Sequence, residues 1–192
     1  MKRTLTSRNA LLACAFVSTL TAAIPATAGS DNKLWDWLIS FERFKEVAPV
    51  TNQAWNDECS SCHYAYPPGL LPEGSWKNLF TPAALEKHFG ENIEMKDALR
   101  QKLLSYALEN AADHAVAKRS RKIMASLGGQ TPDRISETPY IKRKHQEIPR
   151  KLIQDNPQVK ALSQCDTCHT DAKTGNLDDD TVVIPGHGRW RW

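Results

Sequence analysis

The sequence predicts a mainly α-helical fold of short helices joined by long loops, and three observations support this prediction. Apolar residues recur at helical spacing in several segments, for example between positions 95 and 106. Eleven prolines and nine glycines divide the 192-residue chain into short pieces. Two pentapeptides, CSSCH at 59–63 and CDTCH at 165–169, each place a histidine directly after two cysteines three positions apart.

The first 28 residues have the pattern of an export signal. Basic residues precede an apolar run from about position 10 to 24, and Ala26-Thr27-Ala28 supplies small residues for cleavage after Ala28. The run is shorter than the ~20 residues of a membrane span. The segment LLAC resembles a lipoprotein box, but Cys14 stands before most of the apolar run. We therefore expect an exported protein with a cleaved signal peptide.

Removal of this signal changes the composition of the chain in two ways. The signal contains three basic and no acidic residues, so 22 basic and 22 acidic residues would remain in the 164-residue mature chain. A formally neutral chain gives no reason to expect nucleic acid binding. The four remaining cysteines all lie in the two CxxCH motifs, which leaves none for a structural disulfide.

Residues 29–48 are predicted to form an N-terminal amphipathic helical segment. Six apolar residues share one helical face: Leu34, Trp37, Leu38, Phe41, Phe44 and Val47. We expect this face to dock on the body of the protein, and the alternative is a partner or membrane surface. The mature chain is then soluble or peripherally associated with a membrane.

The segment from Pro49 to 127 contains the first motif, a loop and two helices. YAYPPGLLPEGSW is predicted to be a loop because prolines and glycines interrupt it. Thr81-Pro82 predicts the start of a short helix that carries His88 and ends near Gly90. A longer helix is expected from about Glu94, and whether it continues past Asp113 is left open.

Residues 130–186 contain the second motif. Gly128-Gly129 is expected to end the preceding helix, and Thr138-Pro139 predicts the start of a short helix that carries His145. An acidic turn at 178–180 and a short VVIP segment follow the motif. We predict few strands.

The CxxCH motif is typical of covalent attachment of a c-type haem, and two other sites are weighed against it. A zinc ribbon would bring its two CxxC pairs within a few tens of residues, whereas these pairs begin 106 positions apart. A redox dithiol does not require the histidine that occurs here twice. We predict two haems, attached through Cys59 and Cys62 and through Cys165 and Cys168, with His63 and His169 as proximal iron ligands.

The residues 49–192 are thus predicted to form a dihaem domain in which short helices and long loops wrap two covalently attached haems. The first haem region spans about 49–127 and the second about 130–186. Because the chain has a modest apolar core of its own, we expect the apoprotein to be poorly folded.

The sixth iron ligand is the open question, because no methionine follows CDTCH. His88 and His145 are the preferred candidates, since each is flanked by apolar residues on a predicted short helix. His88 follows His63 by 25 positions and His145 precedes His169 by 24, which favours pairing of neighbours in sequence without excluding a crossed pairing.

Four further residues are weaker candidates for the sixth position. Met95 shares its helical register with core leucines, Met124 lies in a basic stretch, His114 lies among charged residues, and His187 lies between glycines in the tail. We expect core or surface roles for them.

Four segments carry a resemblance to a known family: ECSSCHYAYPPGLLP, KHFGEN with the following ENAAD, ISETPYIKRKHQEIP, and CDTCH followed by DDDTVVIPG. Over about 56–186 the sequence resembles the periplasmic dihaem cytochromes c that act with an oxygen-binding monohaem cytochrome and a membrane cytochrome b. The resemblance implies that both haems have two histidine ligands and that His88 and His145 are the distal ones. It also implies a periplasmic electron carrier that receives electrons from a membrane cytochrome b and passes them to a small c-type haem protein.

Three other functions remain as alternatives. A cytochrome with one histidine and one methionine per iron would need a methionine after the second motif, and a dihaem reductase subunit would have its motifs closer together. A dihaem peroxidase would need a longer chain and a labile ligand. We therefore expect an electron carrier and not an enzyme, with the basic clusters at 118–122 and 142–144 as candidate docking faces for its partners.

Overall fold

The computed structural model describes residues 46–191, which belong to one compact unit. The predicted signal peptide and nearly all of the predicted N-terminal helical segment lie outside the described residues. Seven helices occur in the described chain: α1 (Gln53–Cys59), α2 (Glu73–Leu79), α3 (Pro82–Leu85), α4 (Asp97–Glu109), α5 (Lys118–Leu127), α6 (Pro139–His145) and α7 (Cys165–Cys168).

The remaining regular structure is short. Five 3₁₀ turns occur between residues 46 and 191, at Pro68–Leu70, Ile135–Glu137, Arg150–Leu152, Ala172–Thr174 and Asp179–Thr181. Two-residue strands β1 (Val183–Ile184) and β2 (Gly188–Arg189) form an antiparallel hairpin. The prediction of a mainly α-helical fold with little strand is confirmed. Between residues 46 and 191, no helix combines the length and apolar character needed to cross a bilayer.

The helix ends follow the local chemistry of the sequence. Thr81 accepts a hydrogen bond from the backbone N–H of Ala84 and caps α3, whose first residue is Pro82. Gly128 ends α5 in the left-handed conformation, with φ of 56°. Thr138 and Pro139 precede and begin α6, which ends at His145. These three boundaries confirm the predictions made from the sequence.

Two details of the prediction are wrong. The loop after the first motif contains a helix, α2, that begins directly after Pro72. The helix expected from about Glu94 is present from Asp97 to Glu109, and the question left open by the sequence is answered by a separate helix that begins at Lys118.

The second correction concerns His88, which does not lie on a helix. α3 stops after four residues, and the chain turns back so that the N–H of Ile93 donates to the carbonyl of Leu85 over 2.9 Å. Phe89 has φ of 54°, a left-handed conformation that no α-helix accommodates. His88 therefore lies in the turn, paired with Glu91 in an isolated β-bridge.

The core consists of three neighbouring clusters. An N-terminal cluster packs α1, α2 and α4 around Trp55, whose ring lies 5.4 Å from that of Trp76 and 5.8 Å from that of Phe80, centroid to centroid. A central cluster joins the segment after the first motif to α5, α6 and the segment after the second motif. A C-terminal cluster includes Ile153, Val159, Val182 and Ile184.

Candidate functional site

The first CxxCH motif occupies the end of α1 and the turn that follows. Cys59 is the last helical residue and is partly buried, whereas Cys62 is exposed. The second motif forms α7, and the N–H of His169 donates to the carbonyl of Cys165 over 2.8 Å. All four cysteines in the described chain are free thiols. Each motif thus presents two thiols and a histidine from one short turn of chain.

His63 of the first motif faces His88 across a short gap. The centroids of the two imidazole rings are 6.3 Å apart and the ring planes differ by 22°. Nδ1 of His63 lies 2.7 Å from the carbonyl of Tyr64. In the tautomer that carries its proton on Nδ1, His63 donates a hydrogen bond to that carbonyl. Its Nε2 is then unprotonated and available to a metal.

His169 of the second motif faces His145 in the same way. The ring centroids are 6.2 Å apart and the planes differ by 68°. Nδ1 of His145 lies 2.8 Å from the carbonyl of Ile141, one turn earlier in α6, which again leaves Nε2 for a metal. The pairs that the structure brings together are therefore the neighbours in sequence and not the crossed pairs.

Both gaps have the size of one metal ion between two imidazoles. A metal–imidazole bond is about 2 Å long. Since the ring centre lies about 1 Å beyond the bonded nitrogen, two rings on opposite sides of one ion have centroids about 6 Å apart. In addition, Nδ1 of His88 and Nδ1 of His169 are buried without a hydrogen-bond partner among the described residues. Buried imidazoles lacking protein partners fit sites that an added group completes.

A cavity surrounds the second pair. Cys165, Cys168, His145 and His169 all line it. The other lining side chains are mainly apolar and include Ile141, Ile148, Ile153, Val182 and Ile184. An apolar cavity with two thiols at one wall and two facing imidazoles fits a porphyrin better than a hydrated metal ion.

A buried charged network forms one edge of this cavity. Arg119 of α5, 5% exposed, forms ion pairs with Glu46 and Asp179 and donates to the carbonyl of Leu177 over 2.9 Å. Lys144 of α6 forms a further ion pair with Asp179. Nε of Arg119 is buried and has no hydrogen-bond partner within the described chain. The network thus places positive charge beside the second pair of imidazoles.

Burial favours the neutral form of three of these imidazoles, those of His88, His145 and His169. It is the main cause of the lowered pKa of His88, with the charges of His63 and Arg134 adding to it. Burial also lowers the pKa of His145 and, together with the neighbouring His145 and Arg119, lowers the pKa of His169 to about 4. A neutral imidazole carries the free electron pair that a metal requires.

The thiols do not resemble those of a redox dithiol or a zinc site. Burial raises the pKa of Cys59 to about 12 and that of Cys165 to about 12, with adjacent carboxylates adding to the effect. Reactive cysteines of redox dithiols instead have lowered pKa values. Among residues 46–191, no three His, Cys, Asp or Glu side chains group so as to hold a free metal ion. The geometry therefore favours covalent attachment of haem.

The weaker candidates of the sequence analysis lie elsewhere. His114 is exposed, and its Nε2 lies 2.6 Å from a carboxylate oxygen of Glu73. His187 is exposed beside Trp190. Met95 and Met124 pack against the N-terminal and central clusters, respectively. The predicted core and surface roles of these four residues are confirmed.

The burial of Arg119 differs from the prediction, which placed this residue in an exposed basic cluster. One signal was present: Arg119 lies four residues before Ile123 on α5, on the side that also carries Ser120 and Leu127. Its burial follows from that helical register. Only the fold shows that Glu46 and Asp179 converge on it.

Comparison with known proteins agrees with this geometry. The sequence profile of the dihaem cytochrome c family matches residues 55–177. No curated protein sequence matches the chain significantly.

Two solved structures are similar to the chain over most of their length. A diheme cytochrome type c from Shewanella baltica OS155 is 38% identical, with a TM-score of 0.60, over 74% of this chain and 99% of that one. A diheme cytochrome c from Rhodobacter sphaeroides is 39% identical, with a TM-score of 0.59, over 68% of this chain and 99% of that one. The chain therefore belongs to the dihaem cytochrome c family, whose members carry two covalently bound c-type haems and transfer electrons.

Proposed function

We propose that this protein is an exported electron carrier in which each haem iron is held by two histidines. Cys59 and Cys62 attach the first haem, and His63 and His88 are its axial ligands. The observation that carries this proposal is the pair of ring distances, 6.3 Å for His63 and His88 and 6.2 Å for His145 and His169.

The second haem is attached through Cys165 and Cys168, with His169 and His145 as its axial ligands. All four residues line the same apolar cavity. A haem iron supplies reversible one-electron chemistry, and its axial ligands and surroundings set its potential. The residues of this cavity fix the imidazoles, exclude water and place the Arg119 charge nearby.

Two imidazoles on each iron leave no position for oxygen, peroxide or nitrite. This arrangement favours electron transfer over catalysis, and it favours lower potentials than histidine with methionine would give. By the resemblance described above, electrons arrive from a membrane cytochrome b and leave to a small c-type haem protein. The export signal at 1–28 supports a periplasmic location.

Absorption and low-temperature EPR spectra of the purified holoprotein test the ligand assignment. We expect low-spin signals from both haems and no methionine-to-iron charge-transfer band at the red end of the visible spectrum. His88→Met and His145→Met should each change one haem only, and the exposed His114→Met should change neither. High-spin signals or a methionine band in the wild-type protein would contradict the assignment.

One exposed residue from each of the two basic clusters contributes to our candidate docking surface, whereas Arg119 of the first cluster is buried and lies outside it. Lys122 of α5 and Arg143 of α6 both lie over the ring of Tyr140, at 6.0 Å and 5.5 Å from its centroid. Neither helix contains an acidic residue. Because α6 ends at His145, this face lies close to the second haem site, where an acidic partner would dock.

Charge reversal tests this docking surface. Lys122→Glu and Arg143→Glu should lower the rate of electron transfer to the small haem protein. They should also make this rate less dependent on salt concentration. Lys77→Glu, on α2, is the matched control and should leave both unchanged. Equal effects of all three variants would show that net charge, and not this face, guides docking.

A further inference from the structure

Two tyrosines directly follow the first haem motif, in the sequence His63-Tyr64-Ala65-Tyr66. Their hydroxyl groups reach the second motif from both sides. Tyr66 donates to the carbonyl of Ser163 over 2.5 Å, two residues before Cys165. Tyr64 donates to the carbonyl of Ala172 over 2.7 Å, three residues after His169.

The two tyrosines differ in their contact with the first site. The ring of Tyr66 stacks on that of His63, with centroids 4.8 Å apart and planes within 22°. Tyr64 instead meets Tyr66 edge-on, at 5.5 Å and 87°. Tyr66 is therefore in contact with a proximal imidazole at its ring and with the second motif at its hydroxyl.

Burial favours the neutral, hydrogen-bond-donating form of both side chains. It raises the pKa of Tyr64 and that of Tyr66, and the nearby Cys165 and Asp166 add to the effect. Tyr66 and Cys165 also pack against the same central cluster, which contains Tyr64. The path from one motif to the other is thus continuous, and the hydrogen bond between Tyr66 and Ser163 is partly buried.

We propose that Tyr66 couples the two haem sites, and that Tyr64 is a structural brace beside it. An electron that moves between the sites can follow the imidazole of His63, the stacked ring, the hydroxyl hydrogen bond and the backbone from Ser163 to Cys165. One iron is oxidised from ferrous to ferric as the other is reduced, and Tyr66 keeps its proton. The proposal rests on the ligand assignment above, which the spectra of the wild-type protein test separately.

Tyr66→Phe and Tyr64→Phe form a matched pair, because each removes one hydroxyl group and one hydrogen bond to a carbonyl beside the second motif. Exchange NMR of the half-reduced holoprotein reports how fast an electron moves between the two haems. We expect Tyr66→Phe to slow this exchange several-fold and Tyr64→Phe to leave it unchanged. Tyr66→Leu, which also removes the stacked ring, should slow it further.

Circular dichroism in the Soret region reports the relative orientation of the two haems. It therefore distinguishes loss of the electron path through Tyr66 from a movement of the haems. The spectrum should be the same in Tyr66→Phe and the wild type. A wild-type exchange rate in Tyr66→Phe would overturn the proposal, as would equal slowing in Tyr64→Phe. Slowing that accompanies a changed Soret spectrum would also overturn it, because movement of the haems would then explain the effect.

Discussion

The side chain of Arg119 is held in place by several buried contacts. It contacts Glu46, Asp179, Tyr140 and the carbonyl of Leu177, and both Arg119 and Glu46 are 5% exposed. The ring of Tyr140 also lies under the guanidinium, at 5.3 Å from its centroid. Loss of the arginine would leave the Glu46 carboxylate buried and without its main partner.

We expect Arg119→Met to destabilise the holoprotein by about 3–5 kcal/mol, the usual cost of removing one member of a buried ion pair. Adding Glu46→Gln should recover part of this loss, because it removes the unpaired charge. Denaturant midpoints of the two single variants and the double variant measure the coupling. Lys122→Met, at an exposed position of the same helix, is the control; a similar loss there would point to the helix and not the ion pair.

The neutral imidazoles of the second site make stability depend on pH. The pKa of His145 and that of His169 are both lowered by burial in the folded protein, to about 4 for His169. In the holoprotein, the proposed bonds to iron would also hold both imidazoles unprotonated. As the pH falls below the ordinary histidine value of about 6.5, the unfolded chain takes up protons that the folded protein does not. Stability should therefore fall as the pH decreases from about 6.5 towards 4.

Denaturant unfolding at several pH values measures this slope. His145→Leu should reduce it, because the variant has one buried imidazole fewer. His114→Gln, at an exposed position, should change it less. A stability that is flat over this range would contradict the prediction.

At the level of elements, the turn from Leu85 to Ile93 positions His88. The cap at Thr81 fixes the start of α3, and the left-handed backbone of Phe89 redirects the chain. The guanidinium of Arg134, from the loop before α6, lies 4.0 Å from the centroid of the Phe89 ring. A cation over an aromatic face is stabilising, so the second half of the chain supports a ligand of the first site.

Gly175 holds the segment after the second motif against Val47. Its φ is 81°, and a Cβ at this position would lie 2.2 Å from the carbonyl oxygen of Val47. The backbone N–H of Val47 also donates to the carbonyl of Gly175 over 3.1 Å. This position therefore requires glycine for both its conformation and its close contact.

We expect Gly175→Ala to destabilise the protein by more than the roughly 1–2 kcal/mol of left-handed strain alone. Gly129→Ala is the matched control, since its φ is 85° and nothing lies within 4 Å of the added Cβ. The difference between the two unfolding free energies gives the cost of the clash. Equal losses of unfolding free energy in the two variants would show that the backbone at Val47 moves away from the added Cβ at no cost in stability.

For the molecule as a whole, the two haem regions are held together through shared side chains. Leu70 and Arg119 come from the first predicted region and line the second cavity. Ile135 comes from the second region and packs against the cluster around Trp55. The haems should therefore contribute to one common core.

We expect the chain without haem to lose cooperative unfolding. The described helices have 4 to 13 residues, and isolated helices shorter than about 12–15 residues are marginal in water. The double variant Cys165→Ser and Cys168→Ser removes the second attachment and should lower both far-ultraviolet helix content and cooperativity. His114→Gln, at an exposed position outside both motifs, is the control, and a cooperative transition in the double variant would contradict the expectation.

Much of this architecture could be predicted because it depends on neighbours in the chain. The helix starts at Thr81-Pro82 and Thr138-Pro139, the stop at Gly128 and the two CxxCH motifs are local patterns, and each was found where it was expected. The helix around His88 was predicted wrongly, because the positive φ at Phe89 is fixed by distant contacts, including Arg134.

By itself, the sequence determined the helical class, the two motifs and the short list of histidines, because residue type and spacing are enough to specify them. Only the tertiary structure decided that His88 faces His63, that His145 faces His169, and that Arg119 is buried between two carboxylates. It also decided that Tyr66 reaches from one motif to the other across 97 positions. These contacts join residues that are distant in sequence. They depend on how the helices pack around a shared core, and a local sequence pattern does not specify that packing.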